Sequence, residues 1–303
     1  MDQEKIIEIL NRHVFNEDKA ALIQAIATNP DRFVGVFRST TPHLKLLQYV
    51  LQSREIRFGD AMEEIIAALL AKMGFVNLPK NLITREGEEL TCDQYFTTAN
   101  RNPFYLMEQK VRDDHDSTKK RGQAANFRRK LIHLRAIHGD SLVGIVYFID
   151  PSLHKNESFY RDEIEALQDE LGITVYLLYN GEFFQHLEGH TRNWDLLVSS
   201  LQAWRDIVPE HISLDYDADP GTTLAELSPI TGGVWRKLIV NDALWSGGVV
   251  KTLFPNGRTL RGLQNLFLQT GAARFRVGRT SSTYSQLADL LKHQIDRFYP
   301  PDT

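Results

Sequence analysis

The sequence is poor in residues that form covalent cross-links, membrane spans or nucleotide-binding loops. Cys92 is its single cysteine, which excludes an internal disulfide framework and a cysteine-based zinc site within one chain. No apolar run approaches the roughly 20 residues that a membrane-spanning helix needs. The chain also lacks the G-x-x-x-x-G-K-[ST] pattern of P-loop proteins. None of these three classes is therefore indicated.

The N-terminus and the histidines carry no targeting or zinc-protease pattern. The first residues, MDQEKIIEILNRHVF, include early acidic residues and do not have the basic-then-apolar order of a secretory signal. His186 and His190 are four residues apart, without the glutamate of an H-E-x-x-H helix. Since 42% of the 303 residues are apolar, the chain can bury a substantial core. We expect a globular protein of the cytoplasm.

Charge is distributed unevenly along the chain. The formal net charge of −4 argues against a protein that coats nucleic acid indiscriminately. Between Lys110 and Ala136, however, nine Lys and Arg residues accompany only three Asp. Residues 243–288 contain six basic residues and no acidic one. Such segregation allows an acidic protein to present one basic face, unless the two basic segments lie on different faces.

The periodicity of apolar residues predicts an α/β protein. Residues 1–54 have helical spacing, and the segment GDAMEEIIAALLAKMGF predicts a helix capped by Asp60 and ended by Gly74. A hairpin signal follows around Glu86 to Glu88. The next elements are the apolar strand FYLMEQKV, a helix that ends at Gly139, and then a strand, a charged helix and another strand. This order predicts a central mixed β-sheet flanked by helices.

Three charged side chains are expected to meet at the end of this predicted sheet. Glu108 and Lys110 are two positions apart on a strand, so they point to the same side. If Asp93 lies on the neighbouring strand, two carboxylates and one ammonium converge. Two carboxylates suit Mg²⁺, which takes such ligands together with waters and phosphate oxygens. A neighbouring lysine can offset charge that develops on phosphorus.

This pattern resembles the PD-(D/E)xK nuclease superfamily, in which Asp93 matches the aspartate and Glu108-Gln109-Lys110 matches the E-x-K. Cys92 occupies the position of the proline in the family name, and fourteen residues separate Asp93 from Glu108. In the preceding helix, Glu63 lies eleven residues before Gly74 and matches a glutamate that supports the metal site, with Glu64 as the alternative. The resemblance implies a restriction-endonuclease-like core and metal ligation by Asp93, Glu108, the Gln109 backbone carbonyl and Glu63 or Glu64.

Within this superfamily the chain is most similar to type II restriction endonucleases, which implies Mg²⁺-dependent cleavage of both strands of a specific duplex DNA site, with 5′-phosphate ends. Mn²⁺ is able to replace Mg²⁺ in such enzymes. The resemblance also implies a homodimer and a cognate DNA methyltransferase that acts on the same site. The alternatives are a DNA repair or junction-resolving nuclease of the same superfamily, and a non-cleaving DNA-binding protein on the same fold.

These implications assign a role to each part of the chain. Residues 1–54 are an N-terminal helical region, residues 55–208 the catalytic core, and residues 209–303 a C-terminal elaboration for DNA recognition or dimerisation. Basic and amide side chains in two segments are suited to contacts with phosphates and bases, although a solvated surface is an equal alternative for each residue. The candidates are Arg112, Lys119, Lys120, Arg121, Gln123, Asn126, Arg128, Arg129, Arg258, Arg261, Arg274, Arg276 and Arg279.

Overall fold

The computed structural model describes residues 1–15, 19–37, 39–84, 87–114, 116–276 and 282–300, with the backbone alone for residues 273–276 and 282. Its contacts divide the chain into two compact units. Unit 1 comprises Met1–Phe15 and Glu55–Val208, and unit 2 comprises Asn16–Arg54 and Pro209–Thr303. The residues 1–54 are thus divided between the two units.

Unit 1 is built on a five-stranded mixed sheet and a separate two-stranded hairpin. The sheet has the order β1-β4-β5-β6-β7, in which β1, β4 and β5 are antiparallel neighbours and β5, β6 and β7 are parallel. The hairpin pairs β2 with β3. The strands are β1 (Val76–Asn77), β2 (Asn81–Ile83), β3 (Glu89–Thr91), β4 (Gln94–Thr97), β5 (Phe104–Lys110), β6 (Leu142–Phe148) and β7 (Thr174–Tyr179).

Helices cover both faces of this sheet. On one face, buried residues of α1, α3, α6 and α7 pack against Phe96, Met107 and Tyr147. On the other, α4 and α5 pack against Leu106 and Val146. The helices are α1 (Gln3–Val14), α3 (Pro42–Lys72), α4 (Ser117–His138), α5 (Glu157–Leu171), α6 (Glu182–Glu188) and α7 (Arg192–Arg205). The predicted α/β architecture, with helices flanking a central mixed sheet, is confirmed.

Helix α3 corrects one prediction about where a helix begins. The segment before Asp60 and the segment after it form one continuous helix, Pro42–Lys72, so Asp60 is an exposed interior residue and not an N-cap. The reason is that no proline follows Pro42 within the helix, and the single Gly59 is tolerated at moderate cost. The predicted end at Gly74 is confirmed, because Gly74 adopts a φ of 90° that favours glycine.

Helix α4 has clear end signals on both sides. The carboxylate of Asp116 caps its first turn by accepting a hydrogen bond from the backbone N–H of Lys119 at 2.8 Å. Gly139 ends the helix with a φ of 59°, as the sequence predicted. The β2–β3 hairpin agrees with the predicted hairpin as well, although Arg85 and Glu86 lie outside the described residues.

The described part of unit 2 consists of helices and the loops between them, without a strand. Its core contains Trp235 and Trp245, which are 1% and 2% exposed, as expected for large aromatic residues. Helix α3 contributes residues 42–54 to this unit. The other helices are α2 (Lys19–Thr28), α8 (Pro220–Leu227), α9 (Gly232–Val240), α10 (Asp242–Ser246), α11 (Val249–Leu253), α12 (Arg258–Arg276) and α13 (Ser282–Phe298). Among all described residues, no helix is long and apolar enough to cross a membrane.

Candidate active site

The geometry of strands β4 and β5 brings the three predicted residues together. Glu108 and Lys110 share a face of β5 with Leu106, the face on which α4 packs. In the antiparallel pairing of β4 with β5, Gln94 lies opposite Met107. Continuing that register by one residue places Asp93 opposite Glu108. The register of the β4–β5 pair thus brings Asp93 next to Glu108.

The ammonium of Lys110 lies between the two carboxylates. Its Nζ is 2.9 Å from Oδ2 of Asp93 and 2.9 Å from Oε1 of Glu108. The backbone N–H of Gln109 also donates to Oδ2 of Asp93, at 2.8 Å. Two carboxylates and one ammonium therefore converge at the carboxyl end of a largely buried strand.

The protonation state of Lys110 follows from these contacts. Burial alone lowers the pKa of Lys110, but attraction by Glu108 and then by Asp93 outweighs burial, so the net pKa is raised above its usual value. Lys110 is therefore charged at neutral pH. In this state it is a hydrogen-bond donor and a local positive charge, not a proton acceptor.

A second lysine, Lys130 on α4, holds the other oxygen of Glu108. Its Nζ is 2.8 Å from Oε2 of Glu108, and the side chains of Lys130 and Glu108 are only 2% and 10% exposed. Lys130 lies on the buried face of α4 together with Phe127, Leu131 and Leu134. Both oxygens of Glu108 consequently have a cationic partner, which satisfies a carboxylate that burial would otherwise destabilise.

The two glutamates of α3 have different surroundings. The Oε2 atom of Glu63 lies 2.9 Å from Nζ of Lys80, and burial is the largest influence that raises its pKa, with Asp93 adding to the effect. Glu64 instead contacts Arg12 and His13 of α1, and the hydrogen bond with His13 is the largest influence that lowers its pKa. Of the two alternatives, Glu63 is the one within electrostatic reach of Asp93.

The residues around Asp93 have the chemistry that a Mg²⁺ site needs. Two carboxylates share one ammonium, and oxygen ligands of this kind, one or two per ion, are what Mg²⁺ takes from a protein. Within the described part of the chain, no group of three or more His, Cys, Asp or Glu side chains is arranged as a metal cage. Lysine contacts occupy the carboxylates of Glu63, Asp93 and Glu108 in this arrangement. The donor set fits a divalent cation that displaces ammonium groups.

Cys92 and Gln109 flank these ligands. Burial raises the pKa of Cys92 to about 11, so its thiol stays protonated and is neither a nucleophile nor a thiolate ligand. Gln109 is 5% exposed and lies on the opposite face of β5 from Glu108, while its backbone lies beside the carboxylate of Asp93. That position suits the predicted role of its backbone carbonyl.

A small recess opens beside Glu108 and Lys110, between β5, α4 and α5. Gln123 of α4 lines it and accepts a hydrogen bond from the hydroxyl of Tyr160 at 3.0 Å. Burial is the main reason that the pKa of Tyr160 is raised to about 12, so the hydroxyl remains a donor. Among the predicted DNA-contacting residues, Gln123 is thereby brought next to the carboxylate site.

The loop after Lys110 is anchored by a buried aspartate. Asp113 is 0% exposed and accepts hydrogen bonds from the backbone and side-chain nitrogens of Asn156, at 2.8 and 2.9 Å. Asn156 in turn accepts a hydrogen bond from Nζ of Lys120 at 3.0 Å. Asp113 and Asn156 thus connect the end of β5 to the start of α5.

The basic residues that follow are distributed over several surroundings. Three arginines bind surface carboxylates: Arg112 pairs with Glu55, Arg128 with Glu170 and Arg129 with Glu88. Asn126 accepts a hydrogen bond from Arg129, and Lys120 also lies over the ring of Phe159. The side chains of Lys119 and Arg121 are exposed. The described partners of these residues thus differ, and an arginine of this set can exchange its surface carboxylate for a phosphate.

The C-terminal arginines belong to unit 2. Arg258 is exposed at the start of α12, whereas Arg261 donates hydrogen bonds to the backbone carbonyls of Asn256 and Tyr299, at 3.0 and 3.2 Å. Arg261 therefore has a role within the fold. Arg274 and Arg276 have only their backbone described, and Arg279 lies outside the described residues.

For two lysines of this site, Lys80 and Lys130, the sequence pattern did not indicate that they pair with a carboxylate. Lys130 has a signal that could have revealed it, because it lies three residues after Phe127 and four before Leu134, on an otherwise apolar helix face. A lysine at such a position requires a buried partner. Lys80 has no comparable signal, since it precedes a short strand in a loop and its contact with Glu63 depends on the tertiary fold.

Comparison with known proteins identifies a protein family. The family model described as HinfI, type II restriction endonuclease, matches residues 2–85 and 76–205. Neither the curated proteins nor the solved structures contain a significant match. The matched segments cover well over half of the chain and include Glu63, Asp93, Glu108, Lys110 and Lys130. The chain therefore belongs to the HinfI family of type II restriction endonucleases.

Proposed function

We propose that this protein is a PD-(D/E)xK nuclease that uses Mg²⁺ to hydrolyse both strands of a specific duplex DNA site, leaving 5′-phosphate ends. The observation that carries the proposal is the convergence of Asp93 and Glu108 on the ammonium of Lys110, at 2.9 Å from each. Two carboxylates and a lysine at the carboxyl end of the central strand are suited to the hydrolysis of a phosphodiester.

Asp93 and Glu108 are the proposed metal ligands, together with the backbone carbonyl of Gln109 and with support from Glu63. When bound, Mg²⁺, or Mn²⁺ in its place, supplies a Lewis acid that stabilises negative charge on the phosphate and leaving oxygens. The protein keeps these ligands oriented through Lys130, which fixes Oε2 of Glu108, and through the Gln109 N–H, which fixes Oδ2 of Asp93.

Lys110 is the proposed catalytic lysine. It is charged at neutral pH and partly accessible, with 24% of its side chain exposed, so a phosphate can approach its ammonium. There it would orient the attacking water through a hydrogen bond and offset the charge that develops on phosphorus. Partial burial strengthens both effects, because the surrounding medium screens charge less than bulk water does.

The remaining assignments concern DNA and partners. We propose that residues 55–208 form the catalytic core and residues 209–303 contribute to DNA recognition or dimerisation. A homodimer would place one active site on each strand of a near-palindromic site. A cognate methyltransferase would act on the same DNA site without binding this protein. The DNA contacts would come from the exposed basic side chains and from Gln123 and Asn126 of α4.

Digestion of plasmid DNA tests this function. Discrete fragments in Mg²⁺, and none in EDTA, are expected, whereas smearing or a preference for branched DNA would indicate a repair nuclease. Lys110→Ala should lower the cleavage rate by about 100-fold or more, the usual effect of removing a charge-stabilising donor, while Ca²⁺-supported DNA binding remains.

Lys5→Ala is a matched control, since Lys5 also pairs with a glutamate in unit 1, at 2.8 Å from Glu8, but lies outside the site. It should cut at the wild-type rate. Wild-type cleavage by Lys110→Ala would refute the assignment of the catalytic lysine, and failure of the wild-type protein to cut any duplex would refute the proposed function.

A further inference from the structure

Lys80 is a further residue of this site, because one hydrogen bond to its own carbonyl and one to the carbonyl of Glu63 hold both residues beside Asp93. Its carbonyl oxygen accepts a hydrogen bond from the N–H of Cys92 at 2.9 Å, directly beside Asp93. The carbonyl of Glu63 accepts one from Nε2 of Gln94 at 2.7 Å, on the other side of Asp93. Both residues are thus fixed next to Asp93, and their side chains meet at 2.9 Å.

The Lys80–Glu63 pair differs from the Lys130–Glu108 pair in its exposure. The side chains of Lys80 and Glu63 are 37% and 32% exposed, against 2% and 10% for Lys130 and Glu108. A buried pair is held in place because an isolated buried charge is unfavourable. A partly exposed pair is weak, and each member can change partners. Lys80 can therefore leave Glu63, whereas Lys130 stays with Glu108.

We propose that Lys80 competes with the divalent cation for Glu63, and that the DNA backbone relieves this competition by taking up the ammonium of Lys80. This inference rests on the proposed function, and it concerns the regulation of the same site. In the free protein Lys80 contacts the carboxylate of Glu63, which is the proposed supporting residue of the metal site. A DNA phosphate gives Lys80 an alternative acceptor with strong charge-assisted hydrogen bonds. Glu63 is then available to the metal.

The consequence is coupling between DNA and metal. Because Lys80 prefers Glu63 in one state and phosphate in the other, each ligand strengthens the binding of the other by the same factor. The free protein would hold Mg²⁺ weakly and the DNA complex would hold it more tightly. Such coupling means that the site binds the metal mainly when the protein is bound to DNA.

Mn²⁺ binding to the DNA-free protein, measured from the EPR signal of free Mn²⁺, tests the competition directly. Lys80→Met should bind Mn²⁺ about two- to fivefold more tightly than wild type, the factor expected from loss of a partly exposed ion pair. Lys80→Arg keeps the cation and should bind as wild type does. Lys5→Met, which breaks the Lys5–Glu8 pair in the same unit, should leave Mn²⁺ affinity unchanged.

A double-mutant cycle shows whether Lys80 acts through Glu63. In a Glu63→Gln background, Lys80→Met should no longer tighten Mn²⁺ binding, because the shared carboxylate is gone. A gain of the same size in that background would overturn the proposal, since it would reflect long-range charge alone. Unchanged or weaker affinity in the single variant would overturn it too, as would absence of Mn²⁺ binding in both wild type and Lys80→Met.

Repeating the titration with a saturating duplex tests the role of DNA. The duplex should tighten Mn²⁺ binding in wild type by a larger factor than in Lys80→Met, and equal factors would refute the part that DNA plays. The DNA-free titrations do not depend on cleavage. If the wild-type protein cuts no DNA, the proposed function is refuted while these titrations still decide the role of Lys80 at Glu63.

Discussion

Replacement of Lys130 by Met would test the buried ion pair between Lys130 and Glu108. Lys130 is 2% exposed, and its ammonium lies 2.8 Å from Oε2 of Glu108. Methionine has a similar length and fits among the apolar neighbours on α4, so the substitution removes the charge with little change in packing. What remains is a buried carboxylate with one cationic partner instead of two.

The expected loss of stability follows from the geometry. Removing one partner of a buried ion pair costs about 3–5 kcal/mol, because the other charge is left uncompensated. Glu108 keeps Lys110 at 2.9 Å, so we expect the lower end of that range, about 3 kcal/mol. For a unit of this size, each kcal/mol shifts the melting temperature by about 2–4 °C, which gives a fall of roughly 6–12 °C.

Thermal and urea denaturation followed by circular dichroism measure this effect. Lys119→Met is the matched control on the same helix, because Lys119 is exposed, and it should stay within about 0.5 kcal/mol of wild type. The double variant Lys130→Met with Glu108→Gln should lose less stability than the two single losses combined, since neither charge is then left alone. An unchanged melting temperature of Lys130→Met would contradict the expected contribution of this ion pair to stability. Strict additivity of the two single losses would contradict it as well.

Two further predictions concern the glutamates of α3 and His138. Glu63→Gln should lower the cleavage rate by roughly 10–100-fold, as loss of a residue supporting a metal site does, whereas Glu64→Gln, whose carboxylate binds basic side chains of α1, should cut at the wild-type rate in single-turnover assays. Burial, and then Arg101, lowers the pKa of His138 below its ordinary 6.5 in the folded protein. Its contribution to stability is therefore complete above pH 6.5 and is lost as the pH falls through the folded-state pKa. His138→Gln should lose less stability than wild type between pH 7.5 and 5, as measured by urea denaturation, and an equal loss would contradict this role.

The parts of the fold that the sequence predicted are those set by local pattern. Strand β5 has its apolar residues in one run and ends on Glu108 and Lys110, and α4 ends at the glycine that the pattern indicated. The prediction that this helix starts at Asp60 was wrong. A capping residue marks the start of a helix only where the residues before it are not helical. Residues 42–59 continue it instead. The sequence contains both a capping residue at Asp60 and a helical pattern before it. The packing of the folded chain determines that the helix continues.

The ion pairs between the lysines and the carboxylates of the candidate active site could be predicted only in part. The E-x-K pattern names one lysine, but Glu63, Asp93 and Glu108 together carry three negative charges into a partly buried site. Such a site needs cations nearby, because unpaired buried carboxylates would be neutralised or would destabilise the sheet. The structure supplies them from three elements, as Lys80, Lys110 and Lys130. A buried group of acidic residues thus predicts that basic residues lie nearby. Which lysines these are depends on the tertiary fold. Of the three, Lys80 is 37% exposed against 24% for Lys110 and 2% for Lys130, which is the basis of the proposal that Lys80 is the lysine that a divalent cation displaces.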